Sequence, residues 1–248
     1  MPELVHYSVS DAVATITLDS PHNRNALSRQ LVTELFEGIE RAAADDDAHV
    51  VLLAAAGRVF CSGADLSEAS GGGMDEGARR IVDLQRLIAT LDKPVVTRVY
   101  GAVRAGGIGI VAASDVVVAA DDATFALTEV RLGLAAAIIS LTVHARMNPR
   151  AAALTTLGGE VFSGADAAAY GLVTTAVPAE DLDAEVARVC ASLASGNPQG
   201  LRESKRILNR ELVARIDAHG DEMAELSARL FASDDARAAM TAFLTRRK

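Results

Sequence analysis

The residues best suited to chemistry fall in three short stretches: FCSGADL at Phe60 to Leu66, GAVRAGGIG at Gly101 to Gly109, and TFALTEVRLGL at Thr124 to Leu134. The first two are dominated by small residues. Such backbone can turn tightly and let another group approach its N–H atoms closely. In the third, Glu129 follows the apolar run FAL and stands between Leu127 and Val130. A carboxyl held among apolar neighbours has its pKa raised toward neutrality and becomes a usable proton carrier. Each stretch also has an ordinary reading. GGIG serves equally as a tight turn or a close helix contact and is not the GxGxxG dinucleotide pattern. CSGAD serves as a loop, and Glu129 as a solvated acid at a strand end.

Other chemistries lack their residues. The five histidines, His6, His22, His49, His144 and His219, show no HExxH or paired spacing, so no metal site is expected. Cys61 as a nucleophile has no base assigned to it by the sequence, and beside Phe60 it reads as a small buried thiol. Walker loops, GxSxG elbows and stripes of basic and aromatic residues are missing. The net charge of −9 disfavours nucleic acid and anionic membranes as partners, so an anionic ligand would need a local basic pocket. The two cysteines, Cys61 and Cys190, form no disulfide framework, and a reducing cytoplasm fits. The first twenty residues alternate apolar and polar and carry acids, unlike a signal peptide. The charge-free stretch from Leu132 to Ala145 is shorter than the roughly 20 residues a membrane-spanning helix needs. A soluble protein is expected.

The elements around these stretches read as a layered α/β core. Leu4 to Ser10 and Val13 to Leu18 form a hairpin turned at Asp11. Ser28 caps a helix whose Leu31, Leu35, Ile39 and Ala42 share one face. His49 to Ala55 is a strand covered on both sides. A loop with the glycine run Gly71 to Gly73 leads to a helix over Glu76 to Leu91. A strand over Val95 to Tyr100 bends at Gly101 into a glycine-rich turn that feeds a buried helix. Short strands follow at Val116 to Ala119 and Ala123 to Leu127. From Ile138 the chain is mainly helical, with one more strand at Val173 to Val177. Asn197 before Pro198 starts a helix, and Ser233 caps a last one whose basic end, RRK, suits the dipole. Residues 1–195 are thus expected as the core and 196–248 as a helical region.

Together with PHNRNALS at Pro21 to Ser28, the three stretches resemble the crotonase superfamily, specifically its enoyl-CoA hydratase/isomerase family, in order and spacing over essentially the whole chain. The resemblance implies a spiral of strand-strand-helix units, the fold shared by ClpP and crotonase, followed by a C-terminal helical trimerisation region. It implies an acyl-CoA thioester as substrate, with coenzyme A as part of that substrate and no separate cofactor. Homotrimers or dimers of trimers are implied as well.

In such enzymes, proton transfer beside the carbonyl places negative charge on the thioester oxygen, where preorganised donors must meet it. The positions matching the family's two donor amides are Ala64 and Gly106, and Glu129 matches one of its catalytic glutamates. The adenine and pantetheine would lie across the first two segments, implicating Arg24, Ala26, Ser62, Gly63, Ala64, Asp65 and Leu66 along with Gly106. Arg24 is either a phosphate partner or a solvated turn residue. Arg104 either lines the pocket or closes helix packing. The position matching the family's second catalytic glutamate is Gly109, which can neither hold water nor move a proton. The resemblance therefore implies a 2-enoyl-CoA hydratase working with Glu129 as its acid/base, ahead of a one-glutamate 3-enoyl to 2-enoyl-CoA isomerase or a non-catalytic acyl-CoA-binding protein.

Overall fold

The computed structural model describes residues 2–65, 67–68 and 74–245. Leu66, the glycine run at 71–73 and the terminal RRK lie outside the described residues. The hairpin strands β1 (Val5–Ser10) and β2 (Val13–Leu18) pair antiparallel from Val5↔Leu18 to Ser10↔Val13. They open a six-stranded sheet in the order β1-β2-β3-β5-β7-β10. Its remaining members are β3 (Val50–Ala55), β5 (Val95–Val99), β7 (Val116–Ala120) and β10 (Thr175–Val177), all paired in parallel. Parallel strands covered on both faces have no need for polar alternation, which is why VVLLAA and VVVAA are so uniformly apolar.

A second, four-stranded sheet runs β4 (Val59–Cys61), β6 (Ala102–Arg104), β8 (Thr124–Ala126) and β9 (Phe162–Ser163). The sequence reads β4 and β6 as loop or turn and β9 as part of a mainly helical stretch, because strands of two or three residues are too short to show a period; β8 alone is expected. The second sheet is therefore a correction to the expected element list. The chain passes from the large sheet to the small one at β3→β4, β5→β6 and β7→β8 and then enters a helix, which is the expected spiral of strand-strand-helix units. Gly101 makes the second of these crossings. Its φ is +78°, and a Cβ there would lie 2.0 Å from the carbonyl oxygen of Arg58. Only glycine fits.

Helix α1 (Arg29–Ala44) begins at Ser28, whose side chain accepts a hydrogen bond from the Leu31 N–H, and buries Leu31, Leu35, Ile39 and Ala42. Helices α2 (Met74–Thr90), α3 (Gly106–Ala113), α4 (Ala137–Arg146), α5 (Pro149–Gly158), α6 (Gly164–Ala169) and α7 (Leu182–Ala194) complete the core. A single helix of 34 residues, α8 (Pro198–Phe231), is capped by the Asn197 side chain at the Gln199 N–H. It lays Leu212, Ile216 and Ala224 against Ala78, Val82, Ala89 and Leu141 of α2 and α4. Part of the tail's apolar surface is thus used within the chain, while Ile207 and Leu208 stay exposed. Helix α9 (Asp234–Thr245) starts at Ser233, whose Oγ accepts from the Ala236 N–H at 3.2 Å. Among the described residues no helix is long and apolar enough to cross a membrane.

Candidate functional site

One wall of the site is a clasp between the PHNRN turn and the segment after β4. Arg24 and Asn25 both take positive φ, 61° and 52°. Asparagine tolerates that conformation better than most residues, and the buried Asn25 side chain then ties the turn down. Its Oδ1 accepts from the Ser20 N–H at 2.6 Å, and its Nδ2 donates to the carbonyls of Val59 at 2.7 Å and Ala56 at 3.3 Å. Sequence reasoning missed Asn25, although its place at the end of the turn-rich run SPHNRN was a signal. Main-chain bonds continue the clasp, with Ser62 N–H donating to Arg24 O at 3.1 Å and Leu27 N–H to Gly63 O at 2.8 Å.

Of the residues expected to bind coenzyme A, Ala26 is buried under this clasp and the Ser62 hydroxyl donates to Asn23 O. Asp65 accepts from Asn23 Nδ2 at 3.0 Å and from the N–H and hydroxyl of Ser67. Partial burial pushes its pKa up, but the bonds from Ser67 and Asn23 outweigh that and hold it below the usual range. The Asp65 carboxylate is therefore engaged within the chain. Arg24 is exposed, and among the described residues its guanidinium makes no ion pair.

The opposite wall is the start of α3. Ala105, the residue before the helix, has φ 46° and ψ −122°, a strained conformation for an alanine. It faces Gly63 closely enough that a Cβ on Gly63 would lie 2.8 Å from the Ala105 Cβ, and a Cβ on Gly106 would lie 2.8 Å from Leu27 Cδ1. The two small-residue segments thus pass within van der Waals contact. Leu27 and Ala64 form an isolated parallel bridge in which Leu27 supplies the N–H, so the N–H of Ala64 points to the other side. The N–H of Gly106 belongs to the first helical turn, whose donors have no partner within the helix. Among the described residues neither N–H donates to a protein acceptor.

Sheet register brings the segment that leads to Glu129 alongside this wall. Strands β6 and β8 are parallel with Arg104 opposite Ala126, so the chain leaving each emerges at the same edge, and Ala105 N–H reaches Ala126 O at 3.4 Å. Leu127 is buried, and Glu129 opens a single 3₁₀ turn to Leu132 that closes with Leu134 N–H on Glu129 O at 3.0 Å. Glu129 as a whole is half-buried, yet its Oε2 is shielded from solvent and has no hydrogen-bond partner among the described residues. Burial raises its pKa to about 7, opposed only by a hydrogen bond from its own main chain.

Arg104 belongs to packing. Its guanidinium donates to Val103 O, Thr124 O and Thr124 Oγ1, bracing β6 against β8. Cys61 is fully buried, and burial pushes its thiol up to about 12, which removes the thiolate that nucleophilic attack requires. Among the described residues no group of three or more His, Cys, Asp or Glu could hold a metal ion. A groove of about 620 Å³ between α4 and α8, lined by His144, Arg146, Leu212, Arg215 and His219, contains none of the site residues.

A family model described as enoyl-CoA hydratase/isomerase matches residues 8–248. An enoyl-CoA hydratase from Mycobacterium avium, known from its crystal structure, superposes with a TM-score of 0.93 at 44% identity, over 99% of this chain and 98% of that one. The mitochondrial enoyl-CoA hydratase domain-containing protein 3 of Xenopus laevis is 30% identical over 95% of this chain and 82% of its own. The peroxisomal Delta(3,5)-Delta(2,4)-dienoyl-CoA isomerase of Arabidopsis thaliana is 27% identical over 99% and 95%. With this fold and these matches, the chain belongs to the enoyl-CoA hydratase/isomerase family of the crotonase superfamily.

Proposed function

We propose that the protein is an enoyl-CoA hydratase acting on 2-enoyl-CoA thioesters, with Glu129 as its single acid/base. The observation that carries this is the shielded, unpartnered Glu129 carboxyl, three residues beyond the Ala126 carbonyl that meets the Ala105 N–H. In the proposed reaction the carboxylate takes a proton from water as the hydroxyl adds to the third acyl carbon. Electrons move onto the thioester oxygen, where the N–H groups of Ala64 and Gly106 receive the charge. The same carboxyl then returns the proton to the second carbon. Each donor of this kind is typically worth about 2.7–4 kcal/mol in the transition state. Exposed Arg24 is free to meet a coenzyme A phosphate through its planar fork of donors, while Asp65, already bonded to Asn23 and Ser67, shapes the clasp.

A second reading, 3-enoyl to 2-enoyl-CoA isomerisation by the same glutamate, is favoured by Gly109, which sits under Ile139 with no acid in its place. The proposal includes a homotrimer, against which a stable monomer in sedimentation would count. It also includes a cytoplasmic setting, in keeping with two free buried cysteines. Incubation with 2-enoyl-CoA should remove the absorbance of the conjugated thioester. Turnover of 3-enoyl-CoA alone would select the second reading. Tight binding of both esters without turnover of either would leave a non-catalytic acyl-CoA-binding protein.

A further inference from the structure

Gly109 lies one turn into α3 from Gly106, and the space beside it is taken. A Cβ on Gly109 would lie 2.6 Å from Ile139 Cγ2, 3.2 Å from Ile139 Cβ and 3.2 Å from Gln85 Oε1. Ile139 and Gln85 are both fully buried. An uncharged amide in that position is costly unless its bonds are made, and here they are. Gln85 Nε2 donates to Ile81 O on its own helix and to Ile138 O on α4, at 3.2 and 3.1 Å. Its Oε1 accepts from the Thr142 hydroxyl at 2.7 Å. The single hydroxyl proton of Thr142 is best used in this shortest contact, so Gln85 keys α2 to the first turns of α4. That fixes Ile139 against the bare backbone of α3.

We propose that Ile139, held by Gln85, is a specificity-determining residue of the site: it fills the position from which a second carboxylate could hold water, and so sets the ratio of hydration to isomerisation. The proposal rests on the reading of Glu129 as the proton carrier. It also explains why glycine stands at 109, since any side chain there must first displace Ile139.

The test is the ratio of 2-enoyl-CoA hydration to 3-enoyl-CoA isomerisation, measured as kcat/KM for each. Gly109→Glu alone should lower Tm, because the new side chain collides with Ile139. Combined with Ile139→Ala it should recover Tm, raise the ratio at least tenfold over the parent and add a second ionisation to the pH profile. An unmoved ratio in a folded double variant that binds CoA esters overturns the proposal. Ile139→Ser keeps Gly109 and only admits water, so a ratio raised about threefold is expected, and no change again overturns it. Gln85→Met should move the ratio in the same direction. A lower Tm with an unchanged ratio would strip Gln85 of its positioning role. Glu129→Gln in the parent separates the two layers: surviving activity refutes the single-acid reading, whereas lost activity with an immobile ratio in the Ile139 variants refutes only this inference.

Discussion

Lys205 and Glu129 are both drawn out of water, and the molecule treats them in opposite ways. The ammonium of Lys205 meets Asp115 at 2.7 Å and the carbonyls of Ile88 and Lys93 at 2.8 and 3.0 Å. Asn209 donates to Asp115 and to Ala89 O, and Arg146 donates to Asn209. Around Lys205 every strong group is answered, and the result is an anchor for α8. Glu129 has a shielded oxygen with no partner among the described residues. Leaving a buried polar atom unpaired costs on the order of 1–3 kcal/mol, so a fold keeps one where something else is gained. The first environment holds a helix in place, while the second, on the function proposed above, awaits a substrate.

The contrast is most sharply tested by Glu129→Gln. It should reduce turnover by about 10²–10⁴, the range of acid–base catalysis, while leaving CoA-ester affinity within a few-fold and Tm unchanged or higher. Titration of binding beside the rate assay checks this, and an undiminished rate would refute it. At the anchor, Lys205→Met leaves the Asp115 carboxylate without its cation in a dry place, and urea unfolding should show a loss of about 3–5 kcal/mol. Folded variant should keep its kcat.

A smaller effect concerns pH. The carboxyl of Glu129 releases its proton near 7 in the folded chain and near 4.5 in the unfolded one. Between those values the native state binds more protons, so this group's contribution to stability is complete below about 4.5 and is lost as pH rises toward 7, then stays level. Unfolding of Glu129→Gln should lack that decline. The proposed mechanism needs the carboxylate in the free protein, so kcat/KM should rise through pH 7 and then plateau. The smallest effect belongs to the solvated seam of α2 and α8. Arg86 pairs with Asp217 at 2.7 Å with both side chains 48% exposed, and Arg86→Ala should cost about 0.2–1 kcal/mol at most. A loss as large as that of Lys205→Met would mean that surface pairs, and not the buried cluster, hold α8.

The long elements were legible in the sequence. Ser28 and Asn197 announced their helices, and the apolar runs over Val50–Ala55 and Val95–Val99 announced buried strands. Their signals are local, since a cap or a periodicity needs only its own neighbours. Apart from β8, the small sheet was not legible, because two- and three-residue strands are defined by pairing partners far along the chain. The same limit applies at the site. Glu129 stood out as a candidate by its apolar flanks and by resemblance, whereas the Asn25 clasp, the Arg104 brace and Ile139 over Gly109 depend on contacts between separate elements. Arg104 in particular looked equally suited to the pocket and to packing until Thr124 was seen across from it.

Gly101 carries no reactive group, yet it governs how near the Gly63 and Ala105 segments can come. With the Arg58 oxygen 2.0 Å from where its Cβ would stand, any replacement must push β6 away from the turn into β4, and Gly63 would part from Ala105. A saturation mutagenesis screen for activity would therefore mark this position as intolerant of all nineteen alternatives, and a reader of that screen would take a hinge for a ligand contact.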